Sequence, residues 1–371
     1  MLKNLYDWII RPIDGYLFSL LILITGISLV VLYSASSQSL ERLNGQLINF
    51  LVGFVIMWAF SNMPVRYLQN LALPTYVIGV LLLIAVALFG DISHGARRWL
   101  HVGVTRIQPS EMLKISVPLM LSWFFDRHHT TLKLRNYTIA LFLLMLPVGL
   151  ILKQPDLGTA MLVSAAGIYV IFLAGISWRV IIVVLVLFAI SLPIFWSMLH
   201  DYQRQRVLTL IDPTTDPLGT GYHIIQSMIA VGSGGIPGKG WLHGTQTHLD
   251  FLPERTTDFI FAVFAEEWGL IGNGILLVLY ILVIGRGLLI ALRAPTWFTR
   301  LLAGSITLTF FDYAFVNMGM VSGILPVVGV PLPLISYGGT SIVTLMLGFG
   351  ILMSIESHRK RLKTSEFNIK T

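Results

Sequence analysis

YLFSLLILITGISLVVLY, residues 16–33, decides the fold class, because it runs from one tyrosine to the next without a single charged residue. A helix rises about 1.5 Å per residue, so a run of this length nearly crosses a hydrocarbon core of about 30 Å. Lipid offers no hydrogen bonds, so such a segment has to satisfy its backbone internally, and a helix does so. Alternation at period two, the mark of an outer-membrane barrel, is missing. Outward from this run, further spans are expected at 46–60, 73–89, 110–125, 137–152, 157–173, 179–199, 270–292, 301–321 and 341–356. Composition agrees: 55% of the 371 residues are hydrophobic and 12% charged, and mean hydropathy is +0.79. A soluble domain carries roughly twice that charged fraction. The expected fold is an all-α integral membrane protein of about ten transmembrane helices, one polytopic domain over residues 1–371, with no cleavable signal at its start.

The net charge of +7 would suggest nucleic acid in a soluble protein. Here Lys and Arg gather at the ends of apolar runs, so topology explains them better and no nucleic-acid partner is expected. An even number of spans puts both termini on one side, and the excess of Lys and Arg in the short loops makes that side the cytoplasm of a bacterial inner membrane. The outer face then carries a loop at 91–108 and a large one at 200–269, between the seventh and eighth spans. Long loops on a rigid scaffold tend to carry function. Within the large loop, 258–268 reads as a short membrane-surface helix with Glu266 and Glu267 on a wet face, and Gly269 separates it from the next span. The tail at 357–371 reads as a basic, unstructured cytoplasmic extension. With no cysteine, disulfides and thiolate metal sites are excluded.

Ionisable residues at membrane depth are functional suspects. Glu111 and Lys114 open the fourth span three residues apart, on one helix face. A first-turn acid explains Glu111; a lysine near a helix N-terminus opposes the dipole and is less well explained. Asp156 opens the sixth span, where a first-turn acid suffices. Asp258 stands where polar loop turns into apolar helix. It reads either as an N-cap or as a carboxylate desolvated by the following Phe-Ile-Phe, with its pKa raised towards the range of a general base. Arg97, Arg98, Arg204 and Arg206 lie on the outer side against the topology rule; solvated charge is the plain reading and phosphate binding the pointed one. No Walker A loop, metal-spaced cluster or Ser/His/Asp arrangement is present. These residues permit a carboxylate-driven reaction on a phosphate-bearing substrate, and transport uses intramembrane carboxylates too.

The strings GARRWL (95–100), QPSEMLK (108–114), QPDLGT (154–159), DPLGTGYHIIQS (216–227), FLPERTTDFIFAV (251–263) and GILPVVGVPLPLISYGG (323–339) resemble the SEDS family (shape, elongation, division and sporulation), on its elongation branch. The likeness covers nearly the whole chain. It implies ten spans and an inverting peptidoglycan glycosyltransferase that polymerises lipid II, held on undecaprenyl pyrophosphate, into β-1,4 glycan strands during cell elongation. It implies Asp258 as the catalytic base and Glu111, Lys114 and Asp156 as substrate-binding residues. A class B penicillin-binding protein and other elongation-complex proteins are the implied partners. A divalent cation, Mg or Mn, is left open as a helper at the pyrophosphate. Two other readings stay open: a flippase for lipid II, and a non-enzymatic scaffold of the elongation complex.

Overall fold

The structure, a computed structural model, describes residues 12–370 except 94–95, 103–104, 130–131, 199–203, 205–207, 211, 216–218, 250 and 253. A helix covers each expected span: α1 (Gly15–Ala35), α2 (Leu40–Ser61), α3 (Val65–Phe89), α4 (Pro109–His128), α5 (Leu134–Lys153), α6 (Leu157–Leu173) and α7 (Trp178–Met198). After two short helices in the large loop, α8 (Thr220–Ser233) and α9 (Thr245–His248), come α10 (Ile260–Leu292), α11 (Trp297–Val321) and α12 (Gly339–Lys370). Seven of these, α1, α2, α3, α5, α10, α11 and the part of α12 up to Leu362, are long and apolar enough to cross a membrane. Their outer surfaces carry Val55, Phe142 and Leu277, whereas Ser28, Gln46 and Ser305 are buried. This is the distribution lipid imposes: apolar side chains face the solvent, and small polar ones join helices. Ser305 Oγ, for example, donates to Ala166 O at 2.7 Å across α11 and α6.

Three expectations change. Residues 91–108, read as a loop, contain a small antiparallel ribbon, β1 (Asp91–Ser93), β2 (Ala96–Val102) and β3 (Thr105–Ile107). The 258–268 segment is no surface helix: Ile260 through Glu267 are all buried. It is the first limb of α10, broken at Gly269, where φ is +62°. A Cβ on Gly269 would lie 2.3 Å from Gly238 N. The glycine-rich loop packed there satisfies the backbone groups that the break exposes, with Lys239 N donating to Glu266 O and Gly240 N to Glu267 O, both at 3.0 Å, and Leu270 N to Gly235 O at 2.9 Å. Glycine is needed because the chain takes a left-handed turn while another backbone approaches closely. Glu266 and Glu267 are therefore buried anchors: Glu266 Oε1 accepts from Lys239 Nζ at 2.7 Å, Thr245 Oγ1 at 3.1 Å and Gln246 N at 3.0 Å. Finally, the basic tail continues α12 through Lys370. No Gly or Pro interrupts residues 357–370, and Glu356 pairs with Arg359 one turn on, at 2.6 Å.

Candidate active site

Asp258 sits in the turn that leads into α10. The helix N-cap is Phe259, without a side-chain capping bond, so the capping explanation for Asp258 falls away. Thr256 and Thr257 do not cap it either. The turn is tied instead to the chain after α11: Tyr337 N donates to Thr256 O at 2.8 Å, Ser336 Oγ to Thr257 O at 2.6 Å, and Asn317 Nδ2 to Asp258 O at 2.8 Å. Among the described residues no donor reaches the Asp258 carboxylate. Burial, with the Glu254 charge adding to it, pushes its pKa up to about 6. That lies in the range where a carboxylate still ionises near neutral pH and yet accepts a proton readily.

The Val327–Val330 segment is the meeting place of the site. Gly329, at φ +71°, leaves room for the acid: a Cβ there would stand 3.4 Å from Asp258 Oδ2. On the other side, a Cβ on Gly158, in the first turn of α6, would be 2.4 Å from Val328 O. So the helix opened by Asp156 abuts the segment that Asp258 faces. Asp156 is the N-cap of α6, accepting from Thr159 N at 3.2 Å, and it also receives Gln108 Nε2 at 3.2 Å from the start of α4. Its first-turn role is thus real, and it braces two helix starts.

Glu111 and Lys114 form a buried pair at 2.5 Å. Lys114 is 4% exposed, and its ammonium also donates to Tyr313 Oη of α11 at 2.5 Å. The ammonium therefore faces the interior. Glu111 Oε2 has no hydrogen-bond partner among the described residues, and Glu111 edges a cavity of about 360 Å³ between α2, α3, α4 and α12. Thr75, Gln108, Ser116, Thr340 and Thr344 are the other polar residues that line it, and the rest of the lining is apolar.

Of the four arginines, Arg97 and Arg98 lie on strand β2 and Arg206 lies outside the described residues. Arg204 donates to Trp196 O at 3.0 Å and Ser197 O at 2.6 Å, so its fork closes the end of α7. Sequence reasoning passed over Arg42. This residue is exposed at the start of α2, donates to Thr256 Oγ1 at 2.9 Å, and meets no carboxylate among the described residues. Its signal was available, since it is one more outer-side cation beyond a span end. Tyr313 and Asn317 were also passed over, because tyrosine and asparagine inside an apolar run carry no signature of their own. No group of three or more His, Asp or Glu capable of holding a metal ion is found among the described residues.

A many-helix membrane protein that carries, among the described residues, a carboxylate without a donor, a Glu–Lys pair and an arginine that meets no carboxylate has the groups of a membrane-embedded enzyme. The particular family follows from comparison. Residues 15–361 match the family model of FtsW, RodA and SpoVE, described as "Cell cycle protein", and the chain belongs to that family. It is 54% identical to the peptidoglycan glycosyltransferase MrdB of Escherichia coli over 95% of this chain and 96% of that one. It is 30% identical to the peptidoglycan glycosyltransferase RodA of Treponema pallidum over 94% and 99%. Its fold is similar to the crystal structure of RodA from Thermus thermophilus, with a TM-score of 0.71, 30% identity, and 93% and 97% of the two chains covered. A structure described as the coordination of polymerization and crosslinking by a peptidoglycan synthase complex gives a TM-score of 0.80 at 35% identity, covering 93% and 98%.

Proposed function

We propose that this chain is a peptidoglycan glycosyltransferase that polymerises lipid II into β-1,4 glycan strands during cell elongation. It works in the bacterial inner membrane, with ten spans, both termini in the cytoplasm, and the large loop outside between spans seven and eight. The observation that carries the mechanism is the Asp258 carboxylate, half-buried and without a donor among the described residues, in the turn before α10. The acceptor's 4-hydroxyl attacks the anomeric carbon of the growing glycan. The new C–O bond forms as the bond to pyrophosphate breaks, and undecaprenyl pyrophosphate leaves with the electron pair. Asp258 takes the hydroxyl proton. An α-linked donor becomes a β-linked product, so the configuration inverts.

The leaving group carries negative charge, and guanidinium forks match phosphate oxygens. Arg42 is best placed for this, with Arg97, Arg98 and Arg206 as further candidates; Arg204 is engaged at the end of α7. The apolar cavity edged by Glu111 suits a prenyl chain. The unpartnered Glu111 Oε2 offers an acceptor to a hydroxyl or amide of the head group. No group of three or more His, Asp or Glu among the described residues is placed to hold Mg or Mn, and the steps above are assigned to this chain's own residues. By analogy with the related synthase complex, a class B penicillin-binding protein is the partner that crosslinks the strands, alongside other elongation-complex proteins.

Glycan polymerisation from purified lipid II, by the chain with its partner and the partner's transpeptidase blocked, tests the reading. A ladder of products that vanishes in Asp258→Ala is expected. No ladder from folded wild type would shift the reading to a flippase or scaffold, and a ladder surviving in the variant would discard Asp258 as the base.

A further inference from the structure

Two residues one helical turn apart on α11 each hold a different part of the site. Residues i and i+4 share a helix face. At the first position, Tyr313 Oη takes a hydrogen bond from Lys114 Nζ of α4 at 2.5 Å. At the second, both N–H groups of the Asn317 amide are spent on backbone: one on Asp258 O at 2.8 Å, the other on Val330 O at 2.7 Å. Asn317 is fully buried. It therefore staples the Asp258 turn to the Val327–Val330 segment whose Gly329 makes room for the carboxylate. The Tyr313 ring lies in the same small apolar cluster as Val316, Val328 and Val330. Hydrogen bonds and packing thus run without a gap from Lys114 to the catalytic turn. Lys114 itself is 4% exposed and spends its ammonium on Glu111 and Tyr313.

We propose that Asn317 is a positioning residue for Asp258, and that Lys114 acts on the reaction through it, by fixing α11 at Tyr313, rather than by touching substrate. This rests on the reading of Asp258 as the base. Lys114, on α4, sets the height of α11. Asn317, one turn further out, carries that setting to the backbone of Asp258. Glycosyl transfer needs the carboxylate within hydrogen-bond reach of the attacking hydroxyl, and a misplacement of about 1 Å costs on the order of 100-fold in rate. A ligand role for Lys114 would show in substrate affinity, whereas a positioning role shows in turnover.

The experiment is a double-mutant cycle on glycan polymerisation by the full chain with its partner, using purified lipid II. The set is wild type, Tyr313→Phe, Asn317→Ala, the double variant, and Asp258→Asn as reference, with melting temperatures to confirm folding. Asn317→Ser serves as a second variant if the alanine form folds poorly. Asn317→Ala should lower kcat about 100-fold with KM for lipid II within about twofold. Tyr313→Phe should lower kcat by about tenfold, and the double variant no further than Asn317→Ala, because coupled residues are not additive. Multiplicative losses, an unchanged kcat in folded Asn317 variants, or a Tyr313→Phe effect confined to KM would each overturn the relay. Activity retained by Asp258→Asn would instead overturn the reading of the base, so the two failures are distinguishable.

Discussion

Carboxylates at the two ends of α10 are held differently. Near the end of α10, Asp14 caps α1 by accepting from Leu17 N at 3.0 Å and takes Arg286 through Nε at 3.1 Å and Nη2 at 2.5 Å. Glu356 receives Arg359 with both oxygens, at 2.8 and 2.6 Å. Each carboxylate oxygen there has a donor, and the network ties the start of α1 and the last turns of α10 to the Glu356–Lys360 turn within α12. Before the start of α10, Asp258 has no side-chain donor among the described residues, and Glu111 Oε2 at the start of α4 has none either. A saturated network holds helices together; leaving acceptors open costs stability and is retained where a substrate supplies the donor.

This contrast can be broken by measurement. The largest effect is expected at Asp258: Asp258→Asn should cut polymerisation by about 10²–10⁴-fold, the usual worth of a general base. Its melting temperature should not fall. A carboxylate whose folded pKa is raised to about 6 costs stability once ionised, and that cost vanishes with the charge. Next comes Arg286→Ala, which leaves Asp14 with Leu17 N and Lys360 only and should lower stability by about 1.5–3 kcal/mol, the worth of hydrogen bonds to a charged group, leaving the rate per folded molecule unchanged; thermal unfolding and active-site titration check this. The same cluster has a pH signature. Burial raises the Asp14 pKa, but Arg286, Leu17 N and Lys360 outweigh burial and hold it below the ordinary value. Its contribution therefore stands at neutral pH and is lost as pH falls through the carboxylate range.

Arg42→Gln should raise KM for lipid II by roughly 10–100-fold, the worth of a charge-assisted hydrogen bond, with melting barely moved. The smallest effect belongs to Arg204→Gln: about 0.5–1.5 kcal/mol of stability and no change in KM. If that variant instead raised KM and left melting alone, Arg204 would return to the phosphate-binding set.

Much of this was readable from the chain. Helix positions followed from apolar run length, because lipid leaves so few backbone solutions. Asp258, Glu111 and Lys114 stood out because a charge beside an apolar run needs a reason. What failed to read depended on partners distant in sequence. Glu266 and Glu267 resemble a wet face until the glycine-rich loop is folded over them. Asn317 resembles any polar residue in a span until its amide is seen to reach the backbone of Asp258 and Val330. Asp156 caps α6 as its first-turn position suggested, and the bonds of Arg204 to Trp196 O and Ser197 O depend on a chain fold-back that residue type does not reveal.

The most direct test is the pH dependence of polymerisation for wild type and Asp258→Asn, from about pH 5 to about pH 8. Loss of a base by protonation predicts a wild-type rate that falls as pH drops through about 6 and a variant close to inactive throughout. A variant that keeps the wild-type rate, or a wild-type profile flat across the range, would contradict it.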